Sequence, residues 1–130
     1  MTRKGSTPRS QFRPRSKYGA VKTQVGNIVF ASKKEAARYV ELQLLERARK
    51  IHLLTVQPSF DLWTSAGKGY SQKPVGVYRA DFSYCECGGG SGNCGWSRVT
   101  VEDVKGFKTP LYKWKKKHVE QQYGITIREI

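Results

Sequence analysis

Val99-Thr100-Val101-Glu102-Asp103-Val104-Lys105-Gly106 reads as a buried β-strand that closes on an acid, one spacer and a lysine. β-Branched residues dominate it, as a pleated, half-buried surface favours. Side chains alternate faces along a strand, so Val99, Val101, Asp103 and Lys105 share one face, and Arg98, Thr100, Glu102 and Val104 share the other. A carboxylate and an ammonium beside two valines cost desolvation energy unless they are paired or hold a metal. Two readings follow: a structural Asp103–Lys105 ion pair, or the charged centre of a site.

Working outward, residues 75–84 form the preceding strand. Its apolar face is Tyr78, Ala80, Phe82 and Tyr84, and its other face is Val77, Arg79, Asp81 and Ser83. Asp is depleted in strand interiors, so Asp81 needs a reason beyond facing solvent. The two strands are joined by the glycine-rich stretch from Cys85 through Cys87 to Cys94, and together they make a long hairpin. Three thiolates at Cys85, Cys87 and Cys94 could hold a structural zinc with a fourth ligand from elsewhere, although C-x-C followed by a six-residue gap departs from the C-x2-C knuckle. The alternative is three reduced thiols in a loop. Residues 51–63 read as another strand, with Pro58 marking an edge or bulge and Gln57 facing either core or cleft.

Ser32-Lys33-Lys34-Glu35 is an S-x-x-E capping box that opens a helix of roughly residues 33 to 50. Ala37, Val40, Leu44, Leu45 and Ala48 give its expected core stripe, with Glu35, Tyr39 and Leu42 at the edge. Glu35 is thus either a cap or an acid at the rim of a site. Upstream, residues 18–30 suggest a short hairpin turning at Gly26-Asn27. Residues 1–17 carry six cations and no acid, and read as a disordered basic tail, either an arm on phosphates or a solvated terminus. Downstream, Thr109 caps a second helix with Pro110 at its first position, and Gly124 stops it. Its expected inward stripe is Leu111, Trp114, His118, Val119 and Gln122, and a final strand covers residues 125–130.

The 130 residues suit a single domain at 18–130 behind the tail, with 38% hydrophobic content and a modest core. Lys and Arg number 24 against 10 Asp and Glu, a formal charge of +14, which points to a polyanionic partner, nucleic acid first. Candidate phosphate contacts are Lys17, Lys33, Lys34, Lys108, Lys113, Lys115, Lys116 and Lys117. No apolar run is long enough to span a membrane, and no signal-peptide pattern opens the chain, so a cytoplasmic protein without a membrane partner is expected. Three cysteines without a secretory signal argue against a disulfide framework.

The order is therefore hairpin, helix, three strands, helix, strand. Antiparallel neighbours can bring Asp81 and Asp103 together at one sheet end. Paired carboxylates repel unless a hard cation neutralises them, and Mg²⁺ takes one or two carboxylates plus water and phosphate oxygens. Lys105 would then orient the attacking water or stabilise the pentacovalent phosphate.

Glu35, Asp81 and Asp103-Val104-Lys105 resemble the PD-(D/E)xK nuclease motif. More closely, Lys17-Tyr18-Gly19-Ala20, Ser32-Lys33-Lys34-Glu35-Ala36, Gln57-Pro58, Ala80-Asp81-Phe82 and Val101-Glu102-Asp103-Val104-Lys105-Gly106-Phe107 resemble a small family of phage-encoded endonucleases of that superfamily, over residues 17–130. The resemblance implies an α/β fold with a restriction-endonuclease-like core, a central mixed β-sheet flanked by two helices (αβββαβ) behind an N-terminal β-hairpin. It implies Asp81 and Asp103 as ligands of Mg²⁺ or Mn²⁺, Glu35 as a supporting acid in the same metal set, and Lys105 as the catalytic lysine. The motif's proline–aspartate pair is Ala80-Asp81 here, and the single spacer before Lys105 selects Asp103 over Glu102. The expected function is a metal-dependent DNA endonuclease acting on branched recombination or replication intermediates, as a possible homodimer, in the host cytoplasm if phage-encoded. The rival is a non-catalytic basic nucleic-acid-binding protein with a zinc-stabilised loop, which explains the charge and cysteines but not the acids.

Overall fold

The computed structural model describes residues 19–64, 72–86 and 99–130. The basic tail with Lys17, and the loop holding Cys87 and Cys94, lie outside the described residues. The element order is β1 (Thr23–Val25), β2 (Ile28–Phe30), α1 (Lys33–Arg47), β3 (His52–Val56), β4 (Ser59–Trp63), β5 (Pro74–Arg79), β6 (Phe82–Cys85), β7 (Val99–Asp103), α2 (Pro110–Tyr123) and β8 (Ile127–Glu129). This is a mixed α/β fold with two helices, a mixed sheet and an N-terminal hairpin. β1 and β2 pair antiparallel around Gly26, whose φ of 58° is a value that glycine adopts without steric cost.

The main sheet runs β3-β6-β7-β8. β6 is antiparallel to both β3 and β7, and β8 returns parallel to β7 through α2. A parallel partner needs such a crossover, because no tight turn can reverse the chain twice.

Each of the two long strands expected at 51–63 and 75–84 is broken in the middle. β3 gives way to β4 at Gln57-Pro58, and β5 to β6 at Ala80-Asp81. Pro58 has no N–H for a ladder, and Gln57 takes the left-handed region at φ 51°. Pairing nonetheless continues through the kink, where Gln57 N–H donates to the Asp81 carbonyl at 2.8 Å and Ala80 N–H to the Pro58 carbonyl at 3.1 Å. The bent hairpin leaves the main sheet and forms the separate β4-β5 ribbon, with Asp81 at the corner.

The bend also divides the apolar face. Tyr78, Ala80, Phe82 and Tyr84 are all buried, as their alternation predicts, but they serve two cores. Tyr78 and Ala80 pack with Phe60, Leu62, Val101, Val119, Ile125 and Ile127 on the α2 side. Phe82 and Tyr84 pack with Phe30, Ala36, Leu42, Ile51 and Val104 on the α1 side.

Both helices start where the caps place them. The hydroxyls of Ser32 and Thr109 accept from Glu35 N and Tyr112 N, and Gly124 ends α2 at φ 63°. α1 ends at Arg47, short of the expected residue 50. Neither inward stripe follows the expected one throughout, although Val119 of the expected α2 row is fully buried. On α1 the buried positions are Ala36 and Leu42, with Tyr39 packed beside them, while Val40, Leu44 and Leu45 are exposed and Ala37 faces outward. On α2 the inward row is Tyr112, Val119 and Tyr123, while Leu111 and Trp114 are exposed. The charges carried by β7 set the rotation of α1.

Candidate active site

Two neighbouring carboxylates on β7, Glu102 and Asp103, are both 0% exposed. Strand alternation sends them to opposite faces. Glu102 turns to α1 and meets a full set of donors. Arg38 grips it through Nε at 2.9 Å and Nη2 at 2.7 Å, the Tyr84 hydroxyl donates to Oε1, and Arg128 Nη1 stands 3.6 Å away. Burial pushes the Glu102 carboxyl upward, but the hydrogen bonds from Arg38 and Tyr84 and the two guanidinium charges outweigh it and hold the group below its ordinary value. The same contact raises Arg38, and burial followed by the bond to Glu102 raises Tyr84 to about 12.

Asp103 turns to the α2 side and is less well satisfied. The Tyr78 hydroxyl donates to Oδ2 at 2.5 Å. Lys105 Nζ stands 2.7 Å from Oδ1 as a charge contact, yet Oδ1 is a buried side-chain oxygen with no hydrogen-bond partner among the described residues. Lys105 is held over the Tyr112 ring at 5.2 Å. Burial raises the Tyr78 hydroxyl, and the bond to Asp103 raises it further.

Asp81 completes the pair. The β6–β7 register matches Phe82 with Glu102, so one step further sets Asp81 opposite Asp103 on the same face. Asp81 N–H donates to the Glu102 carbonyl at 3.1 Å, and the Val104 N–H donates to Asp81 Oδ2 at 2.7 Å. Burial lifts the Asp81 carboxyl to about 7. The Val104 bond opposes this, while Asp103 and the charge of Glu35 add to it.

Glu35 sits at the third position of α1 and takes part in its cap. Its Oε2 accepts from Ala31 N at 3.2 Å, one residue before the expected Ser32, and its Oε1 accepts from the Ser32 hydroxyl at 3.2 Å. It reaches Asp81 by field, not by contact. Gln57 is exposed beside the kink.

The lysines divide into groups. Lys108 and Lys116 both pair with Glu129, whose carboxyl they draw down to about 2, with the Lys108 bond the larger cause. Lys115 donates to the Val77 carbonyl at 3.0 Å, and Lys34 to the Ile130 carbonyl at 2.8 Å. Lys33, Lys113 and Lys117 are exposed. Cys85 is buried and disulfide-bonded, which corrects both the expected absence of disulfides and the expected reduced thiols, and a zinc site would need its free thiolate.

Sequence reasoning missed Arg38, Tyr78, Tyr84, Tyr112 and Glu129. A buried glutamate demands a cation, and Arg38 lies one turn after Lys34 on the inward side of α1. That was the available signal for the first of them. The tyrosine hydroxyls carry no sequence signal of their own.

Residues 15–128 match the family described as "Protein of unknown function (DUF1064)". The chain belongs to this family. No curated protein and no solved structure matches the chain. In this DUF1064 chain no helix among the described residues is long and apolar enough to cross a membrane.

Proposed function

We propose that this chain is a metal-dependent DNA endonuclease of the PD-(D/E)xK kind, hydrolysing phosphodiester bonds in branched recombination or replication intermediates. The observation that carries the reading is the convergence of Asp81 and the buried Asp103, with Lys105 Nζ 2.7 Å from Asp103 Oδ1. Two facing carboxylates, one of them lifted to about 7, form a costly arrangement that a hard cation would relieve. The order helix, three antiparallel strands, helix, parallel strand supports the same reading, since it is the αβββαβ order that the resemblance implies, with the β4-β5 ribbon added.

The donor set fits Mg²⁺ or Mn²⁺. Among the described residues no group of three or more His, Cys, Asp and Glu gathers as a closed metal cage. Mg²⁺ does not need one, because it is commonly held by one or two carboxylates with water and substrate phosphate completing the shell. Asp81 and Asp103 would hold it, and when bound it would supply Lewis-acid stabilisation of the phosphate charge. Tyr78 holds Oδ2 of Asp103 and leaves Oδ1 on the Lys105 side. Lys105 sits where it can orient water and stabilise charge on the phosphate in the transition state. Hydrolysis adds the water oxygen to phosphorus and releases a sugar hydroxyl. Glu35 contributes field from its cap.

The test is a cleavage assay on linear, forked and four-way DNA, with Mg²⁺ and with chelator. Metal-dependent cleavage that Asp103→Asn removes is expected. Tight DNA binding with no cleavage of any substrate would instead favour the basic binding protein.

A further inference from the structure

A second feature lies on another side of α2. Trp114, Lys117, His118 and Gln121 face Trp63 and Gln72 across a cleft of about 540 Å³. On the cleft wall, side chains of α2 occupy the outer edge of β4 in place of a neighbouring strand. Gln122 Oε1 accepts from Trp63 N at 2.9 Å, and its Nε2 donates to the Asp61 carbonyl at 2.8 Å. His118 Nε2 lies 3.0 Å from the Trp63 carbonyl, and the Tyr123 hydroxyl donates to the Asp61 carbonyl at 2.7 Å. Trp114 rests edge-on against the His118 ring, with centroids 5.3 Å apart. The two indoles nevertheless remain 37% and 51% exposed, which is a large unburied aromatic area for a buttressed site.

The cleft contents match one ligand chemistry. Indole faces take a planar, π-rich ring. The amides of Gln72 and Gln121 offer both donors and acceptors to the edge of that ring, and Lys117 and the neighbouring exposed Lys113 offer charge to a phosphate. A chain with a formal charge of +14 selects an anionic source for such a ring. We infer that the cleft between Trp63 and Trp114 binds an unpaired nucleobase of single-stranded DNA. This rests on the nuclease reading for its biological setting and deepens it. The protein would hold an unstacked base on one side of α2 while Tyr112, on another side of the same helix, frames Lys105 and the acid pair. From Tyr112 to His118 the helix rises about 9 Å, so the two sites are within reach of one strand of a few nucleotides.

The chain has three tryptophans, so a Trp96→Phe background leaves the two cleft indoles as reporters. Their fluorescence would be titrated in chelator with a twelve-nucleotide oligo-dT, with the same strand carrying abasic sites at its centre, and with a blunt duplex. The expected result is quenching by oligo-dT, weaker quenching by the duplex, and about tenfold weaker binding of the abasic strand, as loss of one base stack gives. Trp114→Ala should weaken oligo-dT binding by a similar factor with an unchanged melting curve, and should add little to the abasic loss. Trp114→Phe should restore most of the affinity. Equal affinity for the normal and abasic strands, or no effect of Trp114→Ala on either, would overturn the inference. Absence of oligonucleotide binding would do so as well and would leave the aromatic cleft to a protein partner. The two readings fail separately: cleavage with base-independent binding keeps the nuclease and removes the cleft, while base-dependent quenching in a chain that never cleaves does the reverse.

Discussion

The two faces of β7 treat the same functional group in opposite ways. Glu102 and Asp103 are adjacent, and both are wholly buried. Toward α1, Glu102 receives two bonds from Arg38 and one from Tyr84, with Arg128 nearby. Toward α2, Asp103 receives one from Tyr78, meets Lys105 at 2.7 Å and faces a second acid. A satisfied buried charge contributes to structure. One set against another buried acid is held there at a cost, and such perturbed groups cluster at functional sites.

The sharpest way to break this contrast is to neutralise each acid in turn. Asp103→Asn should lower single-turnover cleavage by about a thousandfold, a barrier increase of roughly 4 kcal/mol. Its melting temperature without metal should hold or rise, because the repulsion on Asp81 is removed. Glu102→Gln should do the opposite. Breaking a buried ion pair costs roughly 3–5 kcal/mol, and the low end applies because Arg38 keeps Glu41 and some water. Urea denaturation should register a loss of about 3 kcal/mol while cleavage in the folded fraction survives. A stable but inactive Glu102→Gln protein beside an active Asp103→Asn protein would reverse the assignment of the two faces.

Glu35 sharpens the comparison from outside the strand. Gln can accept one of the two bonds that Glu35 accepts, so Glu35→Gln should cost at most about 1 kcal/mol in stability, as caps do. Its charge also acts on Asp81, and cleavage should fall about tenfold, roughly 1.4 kcal/mol of barrier. Full activity in a normally folded variant would confine the site to Asp81, Asp103 and Lys105.

The smallest expected effect is a pH-dependent response to metal. The folded Asp81 value of about 7 lies above its ordinary 3.8, so the folded state holds the extra proton between those limits. Stability from this group is complete below about pH 4 and is lost as pH rises through 7. A cation replaces that proton, so 10 mM Mg²⁺ should raise the melting temperature by about 2–4 °C more at pH 8 than at pH 5, the size of a ~1 kcal/mol linkage. Scanning calorimetry showing equal shifts at both pH values would remove the acid pair as the metal's seat.

What the sequence determined alone is whatever depends on near neighbours. Period-2 alternation put Asp103 with Lys105 and away from Glu102, and the 2.7 Å contact agrees. Capping at Ser32 and Thr109 and the left-handed stop at Gly124 are likewise contests within one turn of chain. The tertiary structure decided which helix faces turn inward and where the long hairpin bends. Ala37, Val40, Leu44, Leu45 and Ala48 form the more apolar-looking stripe of α1, yet Val40, Leu44 and Leu45 are exposed. Leaving Glu102 buried without the Arg38 bonds would cost several kcal/mol, against re-exposing three aliphatic side chains at about 1.5–3 kcal/mol each. Rotating α1 to bring Arg38 inward avoids the first cost, and Ala36, Tyr39 and Leu42 recover part of the second. A partner sixty-four positions away along the chain sets that balance, and helical periodicity carries no information about it.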